Sequence, residues 1–265
     1  MVSLSLIFRH REFPVVVPKL ENYQNKYQHA RLEREDGILL VTLHSAGEDL
    51  VWGFDPHEEC GYLFEDIGRD PENKVIILTG SGETFIHKED LAGAVVTPEG
   101  WAKVHFDAKR LLMSHLDIEA PMIAAINGAA TVHAELGLLC DITLAAEHAV
   151  FADAPHAPNG LVPGDGVQVV WPLLLGFNRA RYFMLTGQEI SAAQALELGV
   201  VNEVLPAREL LPRAWELARL LRKRPEVAIR FTRTAMVHQL KKQLHDSLGY
   251  GLALEGLAAI SHWPS

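Results

Sequence analysis

Two short runs limit what this chain can fold into. "NKVIILTG" (73–80) and "APMIAAING" (120–128) are almost continuously apolar over the length of a strand. A half-exposed strand alternates apolar and polar side chains, whereas a strand covered on both faces has no polar side to show. Both runs therefore read as strands in the middle of a layered sheet. Between them, "TPEGWAKVHFDAKRLLMSHLDI" reads as an amphipathic helix. Before them, "DPHEECGYLFEDIGRD" reads as another, with Asp55 at its cap and Pro56 in its first position. "DITLAAEHAVFAD" (141–153) supplies one or two more strands. Such alternation predicts an α/β fold with right-handed crossovers. Ahead of it, "ARLERE" and "GILLVTLH" flank Asp36-Gly37 as a hairpin with a two-residue turn.

From about Asp165 the character changes. Helical patterns cover 166–175, 178–185, 191–198, 207–223, 225–240 and 242–261, interrupted by one short strand, "VVNEVL". The last two carry apolar residues on more than one face, as helices do when they pack on a partner subunit or a neighbouring core. The expected organisation is an arm (1–27), an α/β core (28–205) and a C-terminal helical oligomerisation region (206–265). With 265 residues, 48% of them hydrophobic, one large core is within reach. A formal charge of -10 argues against nucleic acid and anionic membrane as partners. Cys60 and Cys140 read as reduced core residues, and the chain as cytoplasmic. "MVSLSLIFRHREF" lacks the basic start and small-residue cleavage site of a secretory signal.

Three stretches carry candidate chemistry. In "DAPHAPNGLVPGD" (153–165), Pro155 and Pro158 restrict the backbone around His156, and Asp165 closes the loop. One reading is a turn with a solvated His and an N-cap Asp. The other is a His–Asp dyad, in which the carboxylate fixes the imidazole tautomer and the imidazole takes a proton from water. In "INGAATVHAELGLLCDI" (126–142) a small-residue loop leads into a helix near His133, which is either a polar helix-start residue or a donor to a developing oxyanion. "TGSGETFIHKEDLAG" (79–93) is glycine-rich but matches neither a Walker loop nor G-x-G-x-x-G, so nucleotide binding is discarded. There is no HExxH and no G-x-S-x-G, and no histidine pair at metal-ligand spacing among 133, 148 and 156. No metal is expected.

The segments "AAINGAA", "CDITLAAEHAVFA", "NGLVPGDG" and above all "LTGQEISAAQALELGVVNEVLP" resemble the crotonase (enoyl-CoA hydratase/isomerase) superfamily over roughly residues 28–262. The resemblance implies a spiral of ββα units, a C-terminal helical region, and a homotrimer or dimer of trimers. Departures narrow it. A CoA-using member has "AGxDL" where this chain has "HKEDL" (87–91), and a glycine run where it has "TVHA" (131–134). His156 stands where a hydratase carries its second catalytic glutamate, and Glu135 near the first. These changes resemble the 6-oxocamphor hydrolase branch, β-diketone hydrolases that act without CoA. That resemblance implies that His156 activates water with support from Asp165, and that His133 binds the reacting carbonyl. It places His57, Glu255 and Trp52 in the same pocket. Glu255 also stands out by itself, as a lone carboxylate in the apolar helix "YGLALEGLAAI" that needs a partner in a pocket or across an interface. The expected reaction is retro-Claisen hydrolysis of a cyclic or bicyclic 1,3-diketone to a keto acid, with no cofactor. The competing expectations are an acyl-CoA hydratase, isomerase or thioester hydrolase on the same fold, and a scaffold without catalysis.

Overall fold

A computed structural model describes residues 17–91 and 96–262. The segment read against a secretory signal, and most of the expected arm, fall outside that range. The part of the arm within it, including the helical turn α1 (Leu20–Tyr23), lies on the core. The buried Tyr23 hydroxyl donates to Asp70 Oδ2 at 2.9 Å.

Strands β1 (Ala30–Glu35) and β2 (Ile38–Leu43) form the expected hairpin. Asp36 and Gly37 both take left-handed φ, 47° and 76°, which a two-residue turn of this twist demands. Next come β3 (Val51–Trp52) and α2 (Phe54–Arg69). This helix starts two residues earlier than expected: Gly53 is its N-cap, and Pro56 sits inside the first turn, where a missing N–H leaves no intrahelical bond unmade. Then follow β4 (Val75–Gly80), β5 (Thr84–Ile86), β6 (Lys88–Glu89) and α3 (Pro98–Asp117). Thr97 caps α3 by accepting the Gly100 N–H at 3.0 Å. Strands β7 (Met122–Ile126) and β8 (Ala129–Ala130) lead to α4 (Glu135–Leu138), and β9 (Ile142–Ala146) and β10 (Val150–Phe151) to α5 (Val167–Leu175).

The order repeats as strand, short strand, helix, so the chain coils as the expected spiral of ββα units. The first strands of the units build a six-stranded sheet, β1-β2-β4-β7-β9-β12, with β12 at Glu203–Leu205. It is parallel except for the β1–β2 hairpin. Both faces are covered, which explains the continuous apolar runs. Ile76, Leu78, Ala124 and Ile126 face the main core with Leu63 and Phe64 of α2 and Leu111 and Leu116 of α3. Val75, Ile77, Ile123 and Ala125 face a second cluster under Leu210, Ala214 and Ala218. Those three belong to α8 (Ala207–Arg222), which follows α6 (Phe177–Thr186), β11 (Ile190–Ser191) and α7 (Ala192–Glu197).

The two helices expected over 225–240 and 242–261 are one, α9 (Glu226–His262), because no proline or capping turn separates them. Its start is tied down by Arg233, 2% exposed, whose Nη1 is 2.6 Å from Asp141 Oδ1 and whose Nε donates to the Ile118 carbonyl at 2.7 Å. Among the described residues, no helix is long and apolar enough to cross a membrane. Cys60 and Cys140 are buried free thiols.

Candidate active site

The functional side chains come from three successive units of the spiral and from α9. Trp52 ends β3, and His57 lies in the first turn of α2, the two rings nearly perpendicular with 5.8 Å between centroids. His133 follows β8 and stacks obliquely on Trp52 at 4.3 Å. It takes φ 46°, a left-handed conformation costly for a residue with a Cβ. The helix expected beside it is the single turn α4, which begins two residues later. His156 sits on the double-proline loop. Asp165 immediately precedes Gly166, and it is Gly166 (φ 119°), not Asp165, that caps α5. Glu255 arrives from far along α9, which crosses the loop at Gly164. There Gly251 and Gly164 meet so closely that a Cβ on either would overlap the other's backbone.

All six residues singled out in the sequence line one cavity of about 460 Å³. Trp101 also lines it, whereas Phe85 and Phe151 are fully buried in the core and Phe106 is 54% exposed on the surface.

Two buried imidazoles organise the cavity, each with one ring nitrogen already taken. His133 Nδ1 is 2.6 Å from Oε1 of the fully buried Glu135, which leaves Nε2 for the cavity. His156 Nδ1 is 2.5 Å from Asp153 Oδ1. Asp153, three residues before His156, is therefore the carboxylate that fixes this ring. Its place in "DAPH" is the signal in the sequence; Asp165, the aspartate between glycines, does not reach Nδ1 of this ring. Asp165 Oδ2 lies on the opposite side, 3.5 Å from His156 Nε2 and 3.7 Å from His133 Nδ1, so it stands between the two rings. Glu255 Oε1 is 3.7 Å from His156 Nε2. Glu89 on β6, beside Trp52, also lines the cavity from its solvent-exposed side and was not foreseen.

Charge sorts the three histidines. Burial, reinforced by the positive charge of His133, pushes His57 down to about 3, so it is neutral. Burial also works against His133, but the Glu135 carboxylate and then Asp165 outweigh it and raise this imidazole to about 9. His156 is opposed by burial too, yet Asp165, Asp153 and Glu255 together hold it well above the ordinary histidine range. Burial pushes Glu255 up to about 7, with His156 pulling the other way. Burial would likewise raise Asp165, but His156 and His133 keep it below the usual carboxylate range. Asp165 Oδ1, Glu255 Oε2, Asp153 Oδ2 and Glu135 Oε2 are buried without a hydrogen-bond partner. Such oxygens are costly unless something binds there.

Two donor trios have metal-like composition: His133, Glu135 and Asp165, and His156, Asp165 and Glu255. A zinc ion with bonds of about 2.0–2.1 Å holds its ligand atoms about 3.3 Å apart. The first trio is closed by its 2.6 Å hydrogen bond. The second, with edges of 3.5 and 3.7 Å from His156 Nε2, could hold a small divalent cation. It fits a water molecule equally well, about 2.8 Å from each of the three atoms. Chemically, the arrangement offers a basic imidazole beside a water-sized gap, and a second, charged imidazole able to donate a hydrogen bond across the cavity.

Comparison with known proteins places the chain. The enoyl-CoA hydratase/isomerase family profile matches residues 33–254. The short-chain-enoyl-CoA hydratase of Clostridium acetobutylicum is 30% identical over 223 residues, 83% of this chain and 85% of that protein. The probable peroxisomal enoyl-CoA hydratase 1 of Arabidopsis thaliana is 34% identical over 197 residues, 72% of this chain and 70% of that one. Among solved structures, a beta-diketone hydrolase from the cyanobacterium Anabaena, bound to (S)-3-oxocyclohexyl acetic acid, superposes with a TM-score of 0.88 at 46% identity, covering 90% of this chain and 97% of that one. An enoyl-CoA hydratase/isomerase from Mycobacterium paratuberculosis superposes with a TM-score of 0.80 at 27% identity, covering 88% and 94%. With its spiral core and its catalytic-type cavity, the chain is an enzyme of the enoyl-CoA hydratase/isomerase family, the crotonase superfamily.

Proposed function

We propose that this protein is a β-diketone hydrolase that opens a cyclic or bicyclic 1,3-diketone by retro-Claisen hydrolysis. The observation that carries this reading is the pair of oriented imidazoles, each with Nδ1 held by its own carboxylate and facing one cavity. His156, in its neutral form, takes a proton from a water in the gap between its Nε2, Asp165 and Glu255. The hydroxide adds to one carbonyl carbon, and the C=O electrons move onto its oxygen. His133, an imidazolium whose charge is sustained by Glu135, donates Nε2–H to that oxyanion. Collapse of the tetrahedral adduct breaks the bond to the carbon between the two carbonyls. The electron pair passes into the second carbonyl as an enolate, and the His156 proton then goes to the enolate carbon. One water is consumed and one keto acid formed, and the substrate itself is the electron sink, so the reading requires no metal or organic cofactor.

Two further observations support it. The cavity carries the carboxylates of Glu89, Asp165 and Glu255 and is backed by Asp153 and Glu135, which suits a neutral substrate better than a polyanionic CoA ester. The ligand held by the Anabaena enzyme is a keto acid, the product type that hydrolytic opening of a bicyclic diketone leaves. The reading includes assembly as a homotrimer or dimer of trimers in the cytoplasm. Large exposed apolar side chains on α6 and α9, among them Phe177, Leu185, Phe231 and Leu257, support a chain-to-chain interface.

Acyl-CoA chemistry is the second reading, favoured by the names of the sequence relatives. Turnover of a bicyclic 1,3-diketone without CoA or added metal, by wild type and by His156→Ala, separates the two. Keto acid from wild type, with a loss on the order of a hundredfold or more in the variant, supports the hydrolase. No turnover across several diketones, with calorimetric binding of CoA, replaces it with the acyl-CoA reading.

A further inference from the structure

Gly256 lies in the last third of α9, next to Glu255. A glycine inside a helix is disfavoured relative to alanine, so its presence needs a reason. The structure supplies one on the other side of the cavity. The Trp101 ring, from the first turn of α3, lies flat enough against α9 that a Cβ at position 256 would overlap its Nε1 and Cδ1. From that position the indole N–H donates to the Leu252 carbonyl at 2.8 Å. Trp101, Leu252 and Glu255 all line the cavity. The ring is thus held back against the helix by the absence of one side chain, and the space it vacates belongs to the cavity.

We propose that Gly256, acting through Trp101, determines the size of the ring system this site admits. The inference rests on the diketone reading and names its steric limit: a bicyclic diketone with substituents on the bridge enters because the indole is withdrawn. Any side chain at 256 drives the indole off the Leu252 carbonyl and narrows the cavity. Trp101 is the wall that touches substrate, and Gly256 positions it.

The test is Gly256→Ala, a change that raises helix propensity and leaves α9 able to form. Two 1,3-diketones are compared, a parent bicyclic compound and the same compound carrying two methyl groups on its bridge. One methylene in an apolar pocket is worth roughly 10–200-fold in kcat/KM. The expected result is that the variant loses at least about tenfold more on the dimethyl compound than on the parent. In the Trp101→Ala background the same substitution has no further effect on that ratio, because the wall it pushes is gone. An unchanged ratio, or an equal fall in kcat on both compounds, overturns the proposal; the latter result would mean that Gly256 serves Glu255 instead. An independent readout does not depend on turnover. With 5-fluorotryptophan incorporated, and its signals assigned through Trp101→Phe, the Trp101 fluorine resonance shifts in Gly256→Ala while the others stay. An unmoved resonance sinks the wall role even if the substrates are acyl-CoAs. A wild type inactive on both diketones, with the resonance shifted, sinks only the diketone reading.

Discussion

His156 Nδ1 and Asp153 Oδ1 are 2.5 Å apart, and each side chain is only 3% exposed. A buried carboxylate this close leaves the ring one tautomer in its neutral form, with the proton on Nδ1 and the lone pair on Nε2, toward Asp165, Glu255 and the cavity. The dyad that orients the proposed base is therefore Asp153–His156, and Asp165 acts on the other side of the ring.

Asp153→Asn separates these two carboxylates. It removes the charge and strong hydrogen bond that raise the His156 imidazole, so the acid limb of the kcat/KM–pH profile moves to lower pH. It also permits the wrong tautomer, and kcat falls on the order of a hundredfold or more. A variant with an unmoved acid limb would transfer the orienting role back to Asp165.

His133→Ala removes the cation proposed to face the oxyanion. Loss of such a donor costs roughly a hundred- to a thousandfold in kcat. His133→Gln, which can still donate one neutral hydrogen bond, should recover part of that loss. If His133→Ala stays within about threefold of wild type in kcat/KM, the oxyanion role is wrong.

The pH profile of wild type is expected to be a bell displaced to the alkaline side. His156 works only when neutral. Because its carboxylate neighbours raise it, that form grows as pH climbs above the ordinary histidine range. His133 works only when charged, and it loses its proton at about 9. Activity therefore rises only above the ordinary histidine range and falls as His133 loses its proton at about 9, each limb reporting a property of the coupled cluster rather than of one residue. A profile flat from pH 7 to 10 would contradict both assignments.

Removal of metal tests the cation-sized gap beside His156. Dialysis against EDTA should leave diketone turnover within about twofold, because the proposed nucleophile is a free water. A loss restored by zinc, and abolished in Glu255→Gln, would move the nucleophile onto a bound metal.

Arg233→Ala tests the anchoring of α9. The guanidinium is buried against Asp141 and the Ile118 carbonyl, and Asp141 Oδ2 in turn accepts the Met122 N–H at 2.7 Å. Removing one member of a buried ion pair costs about 3–5 kcal/mol. The loss is read as a lower denaturation midpoint, with Arg233→Lys recovering only part because lysine cannot repeat the forked contacts.

The sequence by itself determined the layered core, since "NKVIILTG" and "APMIAAING" leave no polar side and admit only strands covered twice. It also marked Trp52, His57, His133, His156, Asp165 and Glu255 as candidates, through local constraint in the case of His156 and a stranded charge in the case of Glu255. Tertiary structure alone decided which carboxylate serves which imidazole. Asp153 and Asp165 both flank His156 in sequence, three residues before and nine after, and only the turn of the double-proline loop sends one to Nδ1 and the other to the space between two rings. The protonation of the three histidines was equally out of reach. Their intrinsic chemistry is identical and burial works against the charge of both; what separates a neutral His57 from a charged His133 is that Glu135 and Asp165 face the His133 ring, an arrangement that exists only once α4 and the loop before α5 are in place. Periodicity reports which face of an element is covered; it carries no information on which distant side chain does the covering, and electrostatics in a low-dielectric cavity depends on that partner within a few ångströms.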